Sequence, residues 1–138
     1  MSDTAIICDL DGTLAIKGDR DIFDYAKCEL DTLNGAVALI VDAMVKEYKI
    51  DLIILSGREN TCREETIRWL NKHKIPFTKL LMREAKDYRK DAIIKKEIYD
   101  AEIKSNWDIT FVLDDRIQVV EMWRAEGLTC LQVAKGDF

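Results

Sequence analysis

The chain has 138 residues, a formal net charge of −5, 48% hydrophobic residues and 34% charged ones. That length suits one compact domain, residues 1–138, and is too short for two, while the ordinary apolar fraction excludes a disordered tract. The acidic balance excludes broad electrostatic coating of nucleic acid, though not a small basic pocket that grips one phosphorylated end.

Apolar stretches are too short to span a bilayer, and the N-terminus lacks the basic and apolar regions of a signal peptide. The expectation is a cytoplasmic protein with no membrane partner. Residues 5–8, Ala-Ile-Ile-Cys, read as a strand buried on both faces, as in a parallel sheet. It runs into Asp9 and Asp11, one residue apart, and then Gly12. Open α/β sheets bind ligands at the carboxyl ends of their strands. Two carboxylates there repel each other unless a cation sits between them, and Mg²⁺ is the natural candidate. A calcium-binding EF-hand loop would need glycine where Leu14 stands and glutamate where Arg20 stands, so the segment does not read as such a loop.

Residues 15–34 are irregular and charged, long for a connection and short for a domain, and predict a mobile flap or hairpin beside the aspartates. A helix is predicted over 36–48, where Val37, Ile40, Val41, Met44 and Val45 recur at helical spacing. A second strand, 51–55, leads into Ser56-Gly57-Arg58, and a helix over 61–74 follows. Ser56, its neighbouring amides and that helix start would form a seat for an anion; an ordinary capped helix after a glycine turn is the alternative. Pro76, the one proline, precedes a strand at 78–82.

The helix predicted over 87–103 carries Asp91 and Lys95 at i,i+4, on one face and able to pair. Strand 109–113 ends in Asp114-Asp115-Arg116. Buried adjacent acids need a counter-charge, and a metal shared with Asp9 and Asp11 supplies one. A helix over 117–126 and a strand over 129–133 complete the alternation, which predicts an α/β fold with helices on both faces of a parallel sheet. Cys8, Cys28, Cys62 and Cys130 form no C-x-x-C pair, and with His73 as the one histidine no zinc site can be built. His73 reads as a solvated helix end, so carboxylates must carry any proton transfer. Cys8 and Cys130 read as buried fillers.

The ordered set Asp9-x-Asp11-Gly-Thr13, Ser56-Gly57, Lys95 and Asp114-Asp115 spans nearly the whole chain and resembles the haloacid dehalogenase superfamily of phosphohydrolases. Ser56-Gly-Arg58-Glu, Arg89-Lys-Asp91 with Lys95, the run Asp114 to Trp123, and Gln132 to Phe138 resemble, more narrowly, the 3′-phosphatase domain of the phage polynucleotide kinase-phosphatase family. That resemblance implies a three-layer, Rossmann-like, uncapped fold. It implies Asp9 as nucleophile, Asp11 as acid and base, and Mg²⁺ held by Asp9, the Asp11 carbonyl and Asp114 with Asp115 in support. Ser56, Gly57 and Lys95 would hold the phosphoryl oxygens and Asp91 would position Lys95. Arg20, on the flap, Arg58 and Arg116 would grip substrate, with Arg83 and Arg89 as weaker candidates. The partner implied is a nucleic acid 3′-phosphate end; a homo-oligomer and a separate kinase or ligase partner stay open. The family's kinase phosphate loop is missing, so kinase activity is not expected of this sequence by itself.

Two other classes compete. An uncapped phosphatase of a small nucleotide or sugar phosphate shares the motifs. A phospho-receiver module also uses acids and a lysine at sheet ends, but it lacks the Asp-x-Asp pair.

Overall fold

The computed structural model describes residues 3–18 and 25–138. Its centre is a five-stranded parallel sheet built from β1 (Asp3–Cys8), β4 (Asp51–Glu59), β5 (Lys79–Arg83), β6 (Trp107–Arg116) and β7 (Cys130–Gly136), in the order β5-β4-β1-β6-β7. Helices α1 (Gly35–Tyr48), α2 (Arg63–Lys72), α3 (Asp91–Ile98) and α4 (Ile117–Ala125) form the crossovers. The α/β architecture expected from the alternation is the one observed.

The apolar runs bury alternate residues on opposite faces, as a strand's two-residue period requires. Ile6, Cys8, Leu52 and Ile54 pack with Val37 and Val41 of α1 and Trp69 and Leu70 of α2. Ala5, Ile7, Ile53 and Leu55 pack on the other side with Tyr99 and with Val119, Val120 and Trp123 of α4. The chain therefore builds β1, β4 and β5 outward in one direction, then crosses under the sheet through α3 to place β6 on the other side of β1. The strand order reverses between β1 and β6, and their carboxyl ends face a common crevice.

Two of the strands that carry site residues run past their expected carboxyl ends. β4 continues past Leu55 to Glu59, and β6 runs from Trp107 to Arg116. In both, the register slips at the carboxyl end: between Ser56 and Glu59 against β5, and between Asp114 and Arg116 against β7. Such bulges re-aim side chains, and they occur where the polar residues cluster. The extension separates Ser56 from the helix start: a 3₁₀ turn over Asn60–Cys62 precedes α2. The expected placement of Ser56 at the start of a helix is thus corrected: Ser56 lies at the bulge, with the 3₁₀ turn between it and α2.

Among the described residues of 15–34, β2 (Ala15–Ile16) and β3 (Thr32–Leu33) pair antiparallel, and a 3₁₀ turn spans Tyr25–Leu30. The helix expected over 87–103 is shorter: α3 begins at Asp91 and relaxes into a π-helical turn over Tyr99–Ile103. Its first predicted turn is lost because Arg83 takes the carbonyls of Asp87 and Arg89 at 2.7 and 2.6 Å. His73 is not a solvated end either; its ring packs at 4.6 Å on Trp69. All four cysteines are buried thiols outside any disulfide. No helix among the described residues is long and apolar enough to cross a membrane.

Candidate active site

The turn after β1 wraps around one carbonyl. The amides of Thr13, Leu14 and Ala15 all donate to Leu10 O, at 3.2, 3.0 and 2.8 Å. Gly12 takes φ +86°, open to glycine without strain, and a Cβ there would lie 2.3 Å from Asp115 Oδ2. The turn thus presses the first acid pair against the second. The Asp9 amide donates to Leu113 O at 2.9 Å, which ties the heads of β1 and β6 together.

Lys95 reaches this junction from α3 with 1% of its surface exposed. Its Nζ lies 2.7 Å from Asp9 Oδ1, 3.1 Å from Asp114 Oδ2 and 3.7 Å from Asp91 Oδ2. The i,i+4 pairing with Asp91 is therefore present, but the shorter contacts are those to Asp9 and Asp114. Thr13 Oγ1 lies 3.0 Å from Asp9 Oδ2 and 3.2 Å from Asp115 Oδ1 and bridges the two acids. Nothing in the sequence marked Thr13 beyond its place in the motif.

Burial pushes the Asp9 carboxyl well up from its ordinary range, and Asp114 adds to this against the opposing pull of Lys95. Burial also raises Asp115. For Lys95 burial works against the charge, yet Asp114, Asp9 and Asp91 outweigh it and hold the ammonium well above its usual value. One lysine is too little positive charge for so many buried carboxylates. Oxygen atoms of Asp9, Asp114 and Asp115 lie within 4.8 Å of one another. Mg²⁺ prefers such hard donors, at about 2.0–2.1 Å, so this set fits that ion.

The second acid of the pair lives differently. The Asp11 side chain keeps 39% of its surface exposed, while the Arg58 side chain behind it keeps none. Arg58 donates Nε to Asp11 Oδ2 at 2.9 Å and Nη2 to Asp11 Oδ1 at 2.8 Å. It also donates to Asp31 Oδ2 at 3.1 Å and to Thr66 Oγ1 at 3.0 Å. The expectation that Arg58 grips substrate is corrected: its fork is spent orienting Asp11. Asp31 enters from just before β3, 4% exposed, with its carbonyl accepting from Trp69 Nε1 at 2.9 Å. No signal separated it from the other acids of segment 15–34.

Ser56 is fully buried at the bulge, and its Oγ accepts the Arg58 amide at 3.1 Å, leaving its own proton for a further acceptor. Gly57 lies against Asp91, where a Cβ would meet Oδ1 at 2.1 Å. Asp91 has little freedom to retreat, being paired with Lys95 and with Arg83 Nη2 at 3.3 Å. Gly57→Ala should therefore displace Asp91 and Lys95 and cost about 1–3 kcal/mol of stability by overpacking. We expect a lower melting temperature together with at least a tenfold loss of the phosphatase rate that the sequence predicts, measured by phosphate release.

The remaining arginines divide. Arg83 is a strut: besides the loop carbonyls, its Nε donates to Gly57 O at 2.8 Å. Arg89 pairs with Asp87 at 2.7 Å and Glu97 at 2.8 Å. Arg83 is thereby corrected as a substrate grip, while Arg89 keeps half of its side chain exposed. Arg116 is half-buried at the crevice, 3.8 Å from Asp91, with Nε donating to Phe138 O at 2.9 Å. Arg20 lies outside the described residues.

A family model described as the polynucleotide kinase PNKP phosphatase domain matches residues 3–138. A protein of Autographa californica nuclear polyhedrosis virus named "Putative bifunctional polynucleotide kinase/RNA ligase" is 31% identical over 122 residues, 87% of this chain and 18% of that protein. A chain of a solved Pnkp1/Rnl/Hen1 RNA repair complex superposes with a TM-score of 0.95 at 48% identity, covering 99% of this chain and 44% of that one. The class C acid phosphatase of Bacillus anthracis shares the fold, with a TM-score of 0.65 at 17% identity over 86% of this chain and 53% of its own. The chain thus spans less than half the length of the first two of these relatives.

Proposed function

The chain belongs to the family of polynucleotide kinase PNKP phosphatase domains, within the haloacid dehalogenase superfamily, and from that premise we propose that this phosphatase removes 3′-phosphates from polynucleotide ends, with Mg²⁺ and through a phospho-aspartate. Membership sets aside the receiver-module reading, since the family is one of hydrolases. The observation that carries the mechanism is the contrast between two neighbouring acids. Asp9 is buried and held by Lys95 and Thr13, whereas Asp11 is half exposed and held by Arg58. Lys95 and the Mg²⁺ that the neighbouring acids would hold are positive charges that would keep Asp9 ionised as a nucleophile, while the Asp11 side chain stands outside that cluster where it can exchange protons.

An Asp9 oxygen attacks phosphorus as the bond to the nucleoside oxygen breaks, and Asp11 gives that oxygen its proton. Water then attacks the phosphorus of phospho-Asp9, yielding its proton to Asp11 and releasing phosphate and the free carboxylate. Lys95, Ser56 and the backbone at Gly57 stabilise the charge on the transferring oxygens. Asp9, the Asp11 carbonyl, Asp114 and Asp115 would hold Mg²⁺, which supplies Lewis-acid neutralisation of the phosphoryl group. The names of the viral relative and of the RNA repair complex support a nucleic acid substrate and a ligase partner. This whole chain acting as one domain belongs to the same reading.

The test is phosphate release from 3′- and 5′-phosphorylated oligonucleotides, mononucleotides and sugar phosphates, with and without chelator. We expect Mg²⁺-dependent release from 3′-phosphorylated ends ahead of the others. A wide preference for sugar phosphate would replace the substrate reading, and full activity in excess chelator would remove the metal. Arg58→Lys keeps a charge but loses the fork on Asp11. It should lower turnover of a 3′-phosphorylated oligonucleotide on the order of a hundredfold, the scale of a misplaced general acid. A nitrophenyl ester, whose leaving group needs no proton, should lose less; equal losses on both would deny Asp11 the acid role.

A further inference from the structure

We propose that Tyr88 is a stacking platform for a nucleobase close to the phosphorylated end of a single-stranded polynucleotide, an inference that rests on the polynucleotide reading above. Tyr88 sits in loop 84–90, which leaves the carboxyl end of β5 on the same sheet edge as Asp9, Ser56 and Asp114. At 84% exposure it is the most exposed of the large hydrophobic side chains among the described residues. A single exposed aromatic is ordinary on a protein surface. What distinguishes this one is how firmly the backbone around it is held.

The two carbonyls flanking Tyr88, those of Asp87 and Arg89, accept from Arg83 Nη1 at 2.7 and 2.6 Å. The same guanidinium donates to Gly57 O at 2.8 Å, so one side chain spans from the base of Tyr88 to the residue beside Ser56. On the other side of the loop, Lys86 adopts φ +64°, a conformation uncommon for a side chain of its size. Its amide donates to Glu59 Oε1 of β4 at 2.8 Å. Asn60 Nδ2 adds a longer bond of 3.4 Å to Glu84. The ring is thus presented from a backbone fixed to the phosphate seat at several points, and its placement costs little further ordering on binding.

The charges beside it suit a nucleic acid strand. Asp87 is spent on Arg89, whose Nε and Nη2 reach it at 2.9 and 2.7 Å. Lys86 and Lys90 stand two residues to either side of Tyr88, exposed, and among the described residues neither ammonium pairs with a carboxylate. An aromatic face between two free cations is the arrangement that takes a base on the ring and backbone phosphates alongside, with little regard to sequence. A sugar phosphate has no base to place on such a ring.

The experiment compares wild type, Tyr88→Ala and Tyr88→Trp on a 3′-phosphorylated single-stranded oligonucleotide and on p-nitrophenyl phosphate. A second set of oligonucleotides carries one abasic nucleotide at each of the last three positions in turn. We expect Tyr88→Ala to lose about tenfold in kcat/KM on the oligonucleotide, the scale of one base stacked on an aromatic ring. Its rate on p-nitrophenyl phosphate should not change, and Tyr88→Trp should restore oligonucleotide turnover. One abasic position should cost the wild type a similar factor and cost Tyr88→Ala nothing more. Tyr88→Ala within twofold of wild type, equal losses on both substrates, or abasic penalties that multiply in full with the substitution would overturn the proposal. If the wild type turns over 3′-phosphorylated ends and Tyr88→Ala matches it, stacking alone falls. If the wild type spares those ends altogether, the polynucleotide reading falls and takes the platform with it.

Discussion

Asp9→Asn should abolish phosphate release while leaving the fold at least as stable as wild type in the absence of metal. The substitution is isosteric, and its hydrogen bonds can be met. The amide oxygen can face Lys95 Nζ, now 2.7 Å from Oδ1, and the amide nitrogen can donate to Thr13 Oγ1, 3.0 Å from Oδ2. Thr13 can then turn its proton to Asp115 Oδ1, which is 3.2 Å away. One negative charge leaves a cluster in which burial and Asp114 already oppose ionisation of Asp9. An amide is no nucleophile toward phosphorus, so nothing replaces the lost step. Rates and melting curves taken together check this: an active Asp9→Asn protein would assign the attack to another group, and an unfolded one would make Asp9 structural.

Lys95→Met should lose on the order of a hundredfold or more in rate, the scale set by removing one preorganised charge stabiliser. Methionine keeps most of the buried stem, so packing changes little and the charge is what is lost. The cost in stability should be substantial as well. Asp9 and Asp114, 2.7 and 3.1 Å from the ammonium, lose a shared counter-ion inside a site where Lys95 is 1% exposed. Breaking a buried ion pair from one side typically costs about 3–5 kcal/mol. Added Mg²⁺ should recover part of that stability without recovering the rate, because the ion can neutralise the acids but cannot take the lysine's position. A Lys95→Met enzyme within a few-fold of wild type would reduce the cluster to a structural ion pair.

The parts of this site that a sequence displays are those attached to regular elements. Asp9 and Asp114 follow apolar runs whose two-residue alternation fills both sides of the sheet, so their position at strand ends is legible before any coordinates. Asp91 and Lys95 share a helix face by spacing alone, and the structure brings them within 3.7 Å. What spacing cannot rank is distance across the fold: Asp9 and Asp114 prove closer to the lysine than its helical neighbour is.

Arg58 is the instructive error. A guanidinium beside a phosphate seat reads naturally as a substrate grip, and only its burial and its bonds to Asp11, Asp31 and Thr66 assign it to the acid. Asp31 sits in an irregular segment with no periodicity to mark it as buried. Its role depends on Arg58 and Trp69, 27 and 38 residues away in the chain. The missing first turn of α3 has a similar origin, since Arg83 captures carbonyls that helix geometry would otherwise use. In each case a single arginine overrides a local preference through contacts that exist only once the sheet is assembled.

The most direct test of the account is to mix the protein with an oligonucleotide whose 3′-phosphate carries a radioactive label, quench in acid within the first turnover, and map the label on the protein. The account predicts transient labelling confined to the peptide that holds Asp9, absent from Asp9→Asn, with the label then appearing as free phosphate. Phosphate released from the 3′-phosphorylated end with no labelled protein at any time, or a label carried by another residue, would contradict it.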